Sequence, residues 1–252
     1  MVRRTIPGCA NLPTLTQDSS VYACLKRAKD GLVDLFFPPH CVGCGREGEF
    51  ICVACRRSLP HLVPPLCAGC GRPLIADNCP SCSKWKLEIN GIRSPYAFEG
   101  VMRQAIYRLK YGHWKVLAMP LGALLAQYVR ARPIPVDALV PVPLHSRRLR
   151  QRGYNQSALL AREVGRILSI PVVEGSLERI SNGGAQVKAM DAAERRRNVQ
   201  GAFHCADERL RGHRVVIVDD VCTTGATLDS CAAALLRAGA VSAWGLALAR
   251  EI

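Results

Sequence analysis

Residues 215–227 read VVIVDDVCTTGAT, and this stretch decides the fold. Val215, Val216, Ile217 and Val218 are β-branched, the composition of a strand buried on both faces. Asp219 and Asp220 follow at its C-terminal end, the rim where open α/β sheets bind ligands. Thr223, Thr224, Gly225, Ala226 and Thr227 then lead into a helix. Residues this small let backbone N–H groups approach an anion; the helix N-terminus adds partial positive charge and the threonine hydroxyls add donors. Phosphate oxygens need donors while ribose hydroxyls need acceptors, and one loop offers both. That suits a sugar phosphate better than bare phosphate. An ordinary strand–loop–helix crossover, or the acidic pocket of a phosphate-accepting receiver domain, also begins from a strand ending in aspartates. Neither requires the Thr-Thr-Gly-Ala-Thr run. Cys222, inside the stretch, reads as a small buried hydrophobe rather than a nucleophile.

Around this stretch, apolar segments alternate with turns. The pattern predicts strands at 93–98, 136–142, 214–218 and 241–249, and helices at 101–111, 117–129, 156–168 and 227–237. Asn155 is placed to cap the third of these helices and Gly239 to stop the fourth. Strands alternating with helices predict an α/β domain with a mostly parallel sheet flanked by helices. The second confident strand leads into a proline and arginine loop carrying Arg147, Arg148, Arg150 and Arg152. Guanidinium groups fork onto phosphate oxygens, so this loop suits a pyrophosphate; a solvated cluster or a nucleic-acid surface fits equally. Asn-Gly-Gly within residues 181–190 predicts a mobile loop, and Asp191 with Glu194 a capping box opening a short helix.

Upstream lie the cysteines. Cys41-x-x-Cys44 and Cys52-x-x-Cys55 form one set, and Cys67-x-x-Cys70 and Cys79-x-x-Cys82 another, with Gly45 and Gly71 relieving strain after each first pair. Eight of thirteen cysteines thus sit in pairs, in a chain without an export signal, which favours metal over disulfides. Four thiolates per set suit closed, structural, tetrahedral zinc, so two zinc sites are expected, though interleaved pairing stays open. Redox-active pairs are the alternative, and His40 and His61 are candidate replacement ligands, though eight cysteines already fill both sites. Residues 41–82 hold little else to build a core, so metal supplies their folding energy. Cys205 and Cys231 read as core residues.

The balance of 34 Lys+Arg against 20 Asp+Glu, a formal charge of +14, attracts polyanions without naming one. No apolar run reaches membrane-spanning length, and residues 1–20 are polar and proline-interrupted, so a cytoplasmic protein is expected. An amphipathic helix is expected from 21 to 37, ended by Pro38-Pro39. The division reads 1–37 tail and helix, 38–84 cysteine module, 85–252 α/β domain.

The 215–227 stretch resembles the signature of type I phosphoribosyltransferases, which bind phosphoribosyl pyrophosphate (PRPP). The order along the chain is more specific. Asp34-Leu35-Phe36-Phe37-Pro38-Pro39, the paired cysteines, Leu109-Lys110-Tyr111 and Val140-Pro141-Val142-Pro143-Leu144-His145 are followed by Arg152-Gly153-Tyr154-Asn155 and Glu194-Arg195-Arg196-Arg197-Asn198. Over residues 30–250 this is similar to the ComF (ComFC or GntX-like) family, a double zinc ribbon before a type I phosphoribosyltransferase domain. The resemblance implies that Asp219 and Asp220 hold the ribose hydroxyls and residues 223–227 the 5′-phosphate. It assigns His145, Ser146, Arg147 and Arg148 to pyrophosphate, mostly through backbone groups, and places residues 186–203 over the site. There Lys188, Arg195 and Arg197 either steady the departing pyrophosphate or are exposed charges on a helix. It implies Mg²⁺ accompanying PRPP, phosphoribosyl transfer to an acceptor left open, and a cytoplasmic role in natural transformation on incoming single-stranded DNA, with other DNA-uptake proteins as partners. A PRPP-sensing, non-catalytic DNA-binding protein remains the second reading. Tyr107, Tyr111 and Trp114 beside Arg108, Lys110 and Lys115 are compatible with base stacking. An amphipathic core helix accounts for most of those rings equally.

Overall fold

The computed structural model describes residues 38–75, 78–180 and 201–252, of which His40–Ile252 is one compact unit. The segments expected at 1–37 and 181–200, with Lys188, Arg195 and Arg197, lie outside the described residues. Two short helices, α1 (Val53–Arg57) and α2 (Pro80–Lys84), belong to the cysteine module. The chain continues through β1 (Gly91–Arg93), β2 (Tyr96–Ala97), α3 (Gly100–Tyr111), α4 (Ala118–Ala131) and β3 (Ala138–Pro141). After α5 (Ser146–Arg152) and α6 (Gln156–Leu168) come β4 (Leu177–Arg179), β5 (Phe203–Cys205), β6 (Arg214–Cys222), α7 (Ala226–Arg237) and β7 (Ser242–Arg250).

The main sheet runs β1-β7-β6-β3, with β2 also on β7, and every pairing is parallel. β4 and β5 form a separate antiparallel pair. The predicted strand at 93–98 is broken into β1 and β2, because Pro95 has no N–H to give a ladder. β6 shows why a near-continuous apolar run was needed. Val216 and Val218 face one core with α3, α4 and α6, while Val215 and Ile217 face the other with α7 and β5. Both faces are covered, so β6 is buried from Val215 to Asp220, and its one exposed residue is Arg214 at its start. β6 runs on to Cys222, so the aspartates belong to the strand's last turn of pleat rather than to the loop beyond it.

Two further expectations change. The arginine segment after β3 is the helix α5, not a loop: His145 caps its start and Gly153, at φ 77°, ends it in a left-handed turn. The first half of the cysteine module does not lack a core. Cys41, Ile51, Cys52, Cys55 and Leu59 are buried in the same cluster as Met102 and Ile106 of α3 and Leu121 of α4. Cys67, Cys70 and Cys79 form a smaller cluster of their own, with Leu74, Cys82 and Leu87 against it.

Candidate functional site

The carboxylates sit where β6 meets the loop, and both are buried, at 9% exposure for Asp219 and 3% for Asp220. A buried carboxylate must be paired or hydrogen-bonded, and two helices supply partners. Lys110 Nζ, from the last turn of α3, lies 2.8 Å from Asp220 Oδ1. Ser157 Oγ, from the first turn of α6, donates to Asp219 Oδ1 at 2.9 Å, and that oxygen also accepts from the Asp220 N–H at 2.9 Å. Asp220 Oδ2 is buried without a hydrogen-bond partner among the described residues. It is an acceptor left over at this rim, which fits a ligand hydroxyl or a hydrated cation.

Burial and the neighbouring Asp220 charge push the Asp219 carboxyl up to about 7, against the Lys110 ammonium, the Asp220 N–H and the Ser157 hydroxyl. The unfolded chain loses that proton near the ordinary carboxylate value, whereas the folded chain keeps it until near neutrality. Between these values the folded state binds more protons, so stability falls as pH rises through the window. The unfolding temperature of the ligand-free protein is therefore expected to decline from pH 5 to pH 7.5, and Asp219→Asn to flatten that decline. An identical profile in the variant would mean that Asp219 is ionised throughout.

Beyond β6, Thr223, Thr224 and Gly225 bend into α7. Gly225 has φ 83°, a left-handed conformation that favours glycine, and a Cβ there would also push on Ile92 Cδ1 at 2.8 Å. Thr224 Oγ1 accepts from the Ala226 N–H at 3.3 Å. The carbonyl of Thr223 points away to two arginines, accepting from Arg250 Nη1 at 3.1 Å and Arg72 Nη2 at 3.3 Å. Thr227 is half-buried in the first turn of α7. The residues read for the 5′-phosphate thus form one bend at one helix start.

The residues read for pyrophosphate occupy the start of α5, after neighbouring β3. The Arg147 N–H is taken by His145 Nδ1 at 3.1 Å, so one amide of the set is already engaged. Ser146, Arg147, Arg148 and Arg150 are exposed. Arg152 turns back, donating to Gln156 Oε1 and lying 5.2 Å over the Tyr111 ring. Asn155 caps α6 through the Ser157 N–H and donates to Val142 O, just past β3, at 2.9 Å. A cavity of about 560 Å³ lined by Phe203, Asp207, Arg237 and Gly239 among others lies at the far end of α7 and touches neither Asp219 nor Asp220.

The cysteines fall into two sets in chain order, Cys41/Cys44/Cys52/Cys55 and Cys67/Cys70/Cys79/Cys82, with all sulfurs of a set within 4.8 Å of one another. Sulfur pairs at 3.7 Å (Cys44–Cys52), 3.6 Å (Cys67–Cys82) and 3.5 Å (Cys70–Cys79) approach the edge of about 3.8 Å that tetrahedral zinc–sulfur bonds give. Burial alone would push the Cys41 thiol up, but N–H groups of Cys52, Cys44 and Gly43 outweigh it and bring it down to about 6. The donor set fits zinc. Gly45 and Gly71 adopt φ of 75° and 71°, as the turns require. His40 faces Glu47 and His61 stacks on Tyr96, so neither joins a set. Cys222 and Cys231 are buried; Cys205 is half-buried, its thiol donating to Asp207 O.

Lys110, Ser157, Arg72 and Arg250 were not singled out from sequence as site residues. Lys110 lies inside a quoted motif and Ser157 two residues after one; the two arginines carry no local signal.

Comparison with known proteins agrees with these two halves. Residues 32–86 match the double zinc ribbon domain and residues 155–246 the phosphoribosyl transferase domain. The chain is 38% identical over 117 residues to Competence protein F of Haemophilus influenzae, covering 45% of this chain and 51% of that protein. It is 27% identical over 202 residues to Competence protein ComFC of Bacillus subtilis, covering 77% and 81%. It is 36% identical over 149 residues to DNA utilization protein YhgH of Escherichia coli K12, covering 56% and 64%. The matches thus span from about half to four fifths of these relatives. Among solved structures, glutamine PRPP amidotransferase from B. subtilis aligns with a TM-score of 0.37 at 23% identity, over 54% of this chain and 26% of that one. The purine phosphoribosyltransferase from Pyrococcus horikoshii gives 0.33 at 19%, over 55% and 84%.

Proposed function

We propose that this chain, a member of the ComF family that joins a double zinc ribbon domain to a phosphoribosyl transferase domain, binds PRPP at the C-terminal rim of β6 and transfers its phosphoribosyl group. The observation that carries the reading is the buried Asp219–Asp220 pair, one oxygen of it unpartnered, beside a glycine-turned loop that opens α7. Asp219 and Asp220 accept from the ribose hydroxyls, and the N–H groups and hydroxyls of residues 223–227 receive the 5′-phosphate. Transfer breaks the bond from C1 to the pyrophosphate oxygen, which keeps the electron pair, and forms one from C1 to the acceptor. On this reading the carboxylates face the positive charge that develops on the sugar, and Lys110 holds the Asp220 side chain in place at 2.8 Å. Magnesium bound with PRPP would neutralise the leaving pyrophosphate. His145, Ser146, Arg147 and Arg148, with Lys188, Arg195 and Arg197 outside the described residues, are assigned to that pyrophosphate. Calorimetric titration with PRPP and Mg²⁺, followed by a pyrophosphate-release assay across nucleobase, nucleotide and DNA acceptors, tests both steps. Binding without release from any acceptor would favour the sensor reading.

The role we assign is cytoplasmic handling of incoming single-stranded DNA in natural transformation, alongside other uptake proteins. One observation favours contact with single strands. The buried stripe of α3 is Met102, Ala105, Ile106 and Leu109, which leaves Tyr107 and Tyr111 at 44% and 66% exposure. Phe98, Tyr107 and Tyr111 form a row with centroids 5.9 and 5.8 Å apart. Arg103 covers the first two at 5.9 and 5.5 Å, and Arg152 covers Tyr111. Trp114 is instead held between Phe50 and Arg108. Rings open to solvent between guanidinium groups suit stacked bases and their phosphates. Tyr111→Ala is expected to weaken single-stranded DNA binding by about 1–3 kcal/mol, roughly 5- to 150-fold, without altering its salt slope. Arg103→Ala should lower that slope. Unchanged affinity in Tyr111→Ala, measured by fluorescence anisotropy, would place the strand elsewhere.

A further inference from the structure

An anion-binding bend turns its N–H groups toward the ligand, so its carbonyls face the protein and need donors there. The carbonyl of Thr223 meets that need through Arg250 and Arg72. Arg250 is the last residue of β7, paired in register with Cys222 at the loop's edge, and is fully buried. Its second terminal nitrogen donates to the carbonyl of Cys70, a residue of the second cysteine set. Arg72 follows Cys70 by two residues, and its own carbonyl closes the knuckle by accepting from the Cys67 N–H at 2.8 Å. Gly71 lies so close to β1 that a Cβ would meet Ile92 O at 2.4 Å. The second ribbon therefore seats on β1 and reaches beneath the loop.

The fully buried Arg250 beside the half-buried Arg72 places two cations together, which is costly without counter-charge. Among the described residues no carboxylate pairs with Arg72 or Arg250, and the Nε of each is buried without a partner. Cys70, by contrast, lies within electrostatic reach of Arg250. Four thiolates around one zinc keep a net negative charge, whereas four thiols have none.

We propose that Arg250 and Arg72 are positioning residues that hold the phosphate loop open to its ligand, and that the metal-loaded second cysteine set is their counter-charge. The inference rests on the sugar-phosphate reading and adds to it a coupling between metal occupancy and affinity for the 5′-phosphate. Occupancy of the second set tightens the loop's grip, and by reciprocity a bound 5′-phosphate tightens that metal site.

The test uses the zinc-loaded full chain and two probes, ribose 5-phosphate and pyrophosphate, each titrated calorimetrically with Mg²⁺ present. In Arg72→Met, affinity for ribose 5-phosphate is expected to fall about 10-fold, the loss of one charged donor, while affinity for pyrophosphate holds. Zinc content and unfolding temperature stay as in the wild type. Arg250→Lys keeps the charge but cannot span both carbonyls, and shows the same selective loss; if it does not fold, Arg72→Met decides alone. Competition with a chelator is the second readout. Ribose 5-phosphate should tighten one of the two zinc sites in the wild type and neither in Arg72→Met. Wild-type affinity for ribose 5-phosphate in Arg72→Met, or an equal loss for both probes, overturns the clamp. Zinc affinities indifferent to ribose 5-phosphate overturn the coupling. A wild type that binds neither probe removes the sugar-phosphate reading and this inference with it.

Discussion

The double variant Asp219→Asn/Asp220→Asn is expected to bind PRPP at least about 100-fold more weakly than the wild type. Each carboxylate that accepts from a ribose hydroxyl contributes about 1.5 kcal/mol or more as a charged acceptor, and two such losses come to about 3 kcal/mol. Asparagine keeps the shape, so the effect reads charge and acceptor strength rather than a cavity. One complication has a defined sign. Lys110 loses its partner and is left as an unpaired ammonium with its side chain 19% exposed, which destabilises. Removing a carboxyl that burial has already pushed up toward neutrality acts the other way. Calorimetry for affinity and scanning calorimetry for folding separate the two. Affinity within about threefold of the wild type in a folded double variant would take the aspartates out of the site.

The second large effect concerns the two cysteine sets, which are unequal. Cys55→Ser is expected to lower the unfolding temperature by about 10 °C or more, and Cys79→Ser by much less. The reason is where each set is buried. Cys41, Cys52 and Cys55 belong to the main core with Met102, Ile106 and Leu121, so losing their metal loosens packing against α3 and α4. Cys67, Cys70 and Cys79 sit in a separate small cluster. Zinc contributes about 10–16 kcal/mol to folding in small metal domains. Recovering only a third of the lower figure here, about 3 kcal/mol, already moves the midpoint of a chain this size by about 6–12 °C. Differential scanning calorimetry with zinc content measured on the same samples checks this. Equal shifts for the two variants would mean that the first ribbon stands apart from the domain core.

The features legible in the sequence were contiguous ones. The run 215–227 carries its strand, its acids and its phosphate loop in order, so local chemistry was enough to place them. The cysteine sets announced themselves by spacing, and sequential pairing is what the sulfur distances give. The surroundings of the acids were not legible, because each partner arrives from far along the chain. Ser157 is 62 residues from Asp219. Arg72 is 151 residues from Thr223, and Arg250 is 180 from Cys70. The start of α6 brings Ser157 to the acids, and the parallel register of β6 and β7 with the seating of the second ribbon brings the two arginines to the loop. Two further signals are contiguous in the sequence. Ser146-Arg-Arg-Leu-Arg-Gln-Arg-Gly153 consists of helix formers closed by a glycine stop, which is α5. In α3 the stripe Met102, Ala105, Ile106 and Leu109 already puts Tyr107 and Tyr111 off the buried face.

A structure of the protein crystallised with PRPP and Mg²⁺ tests the central claim most directly. The 5′-phosphate should lie within hydrogen-bond reach of the backbone N–H groups of the bend from Thr223 to Ala226, with the ribose hydroxyls on Asp219 and Asp220. PRPP bound elsewhere, with both aspartates still facing only Lys110 and Ser157, would contradict it.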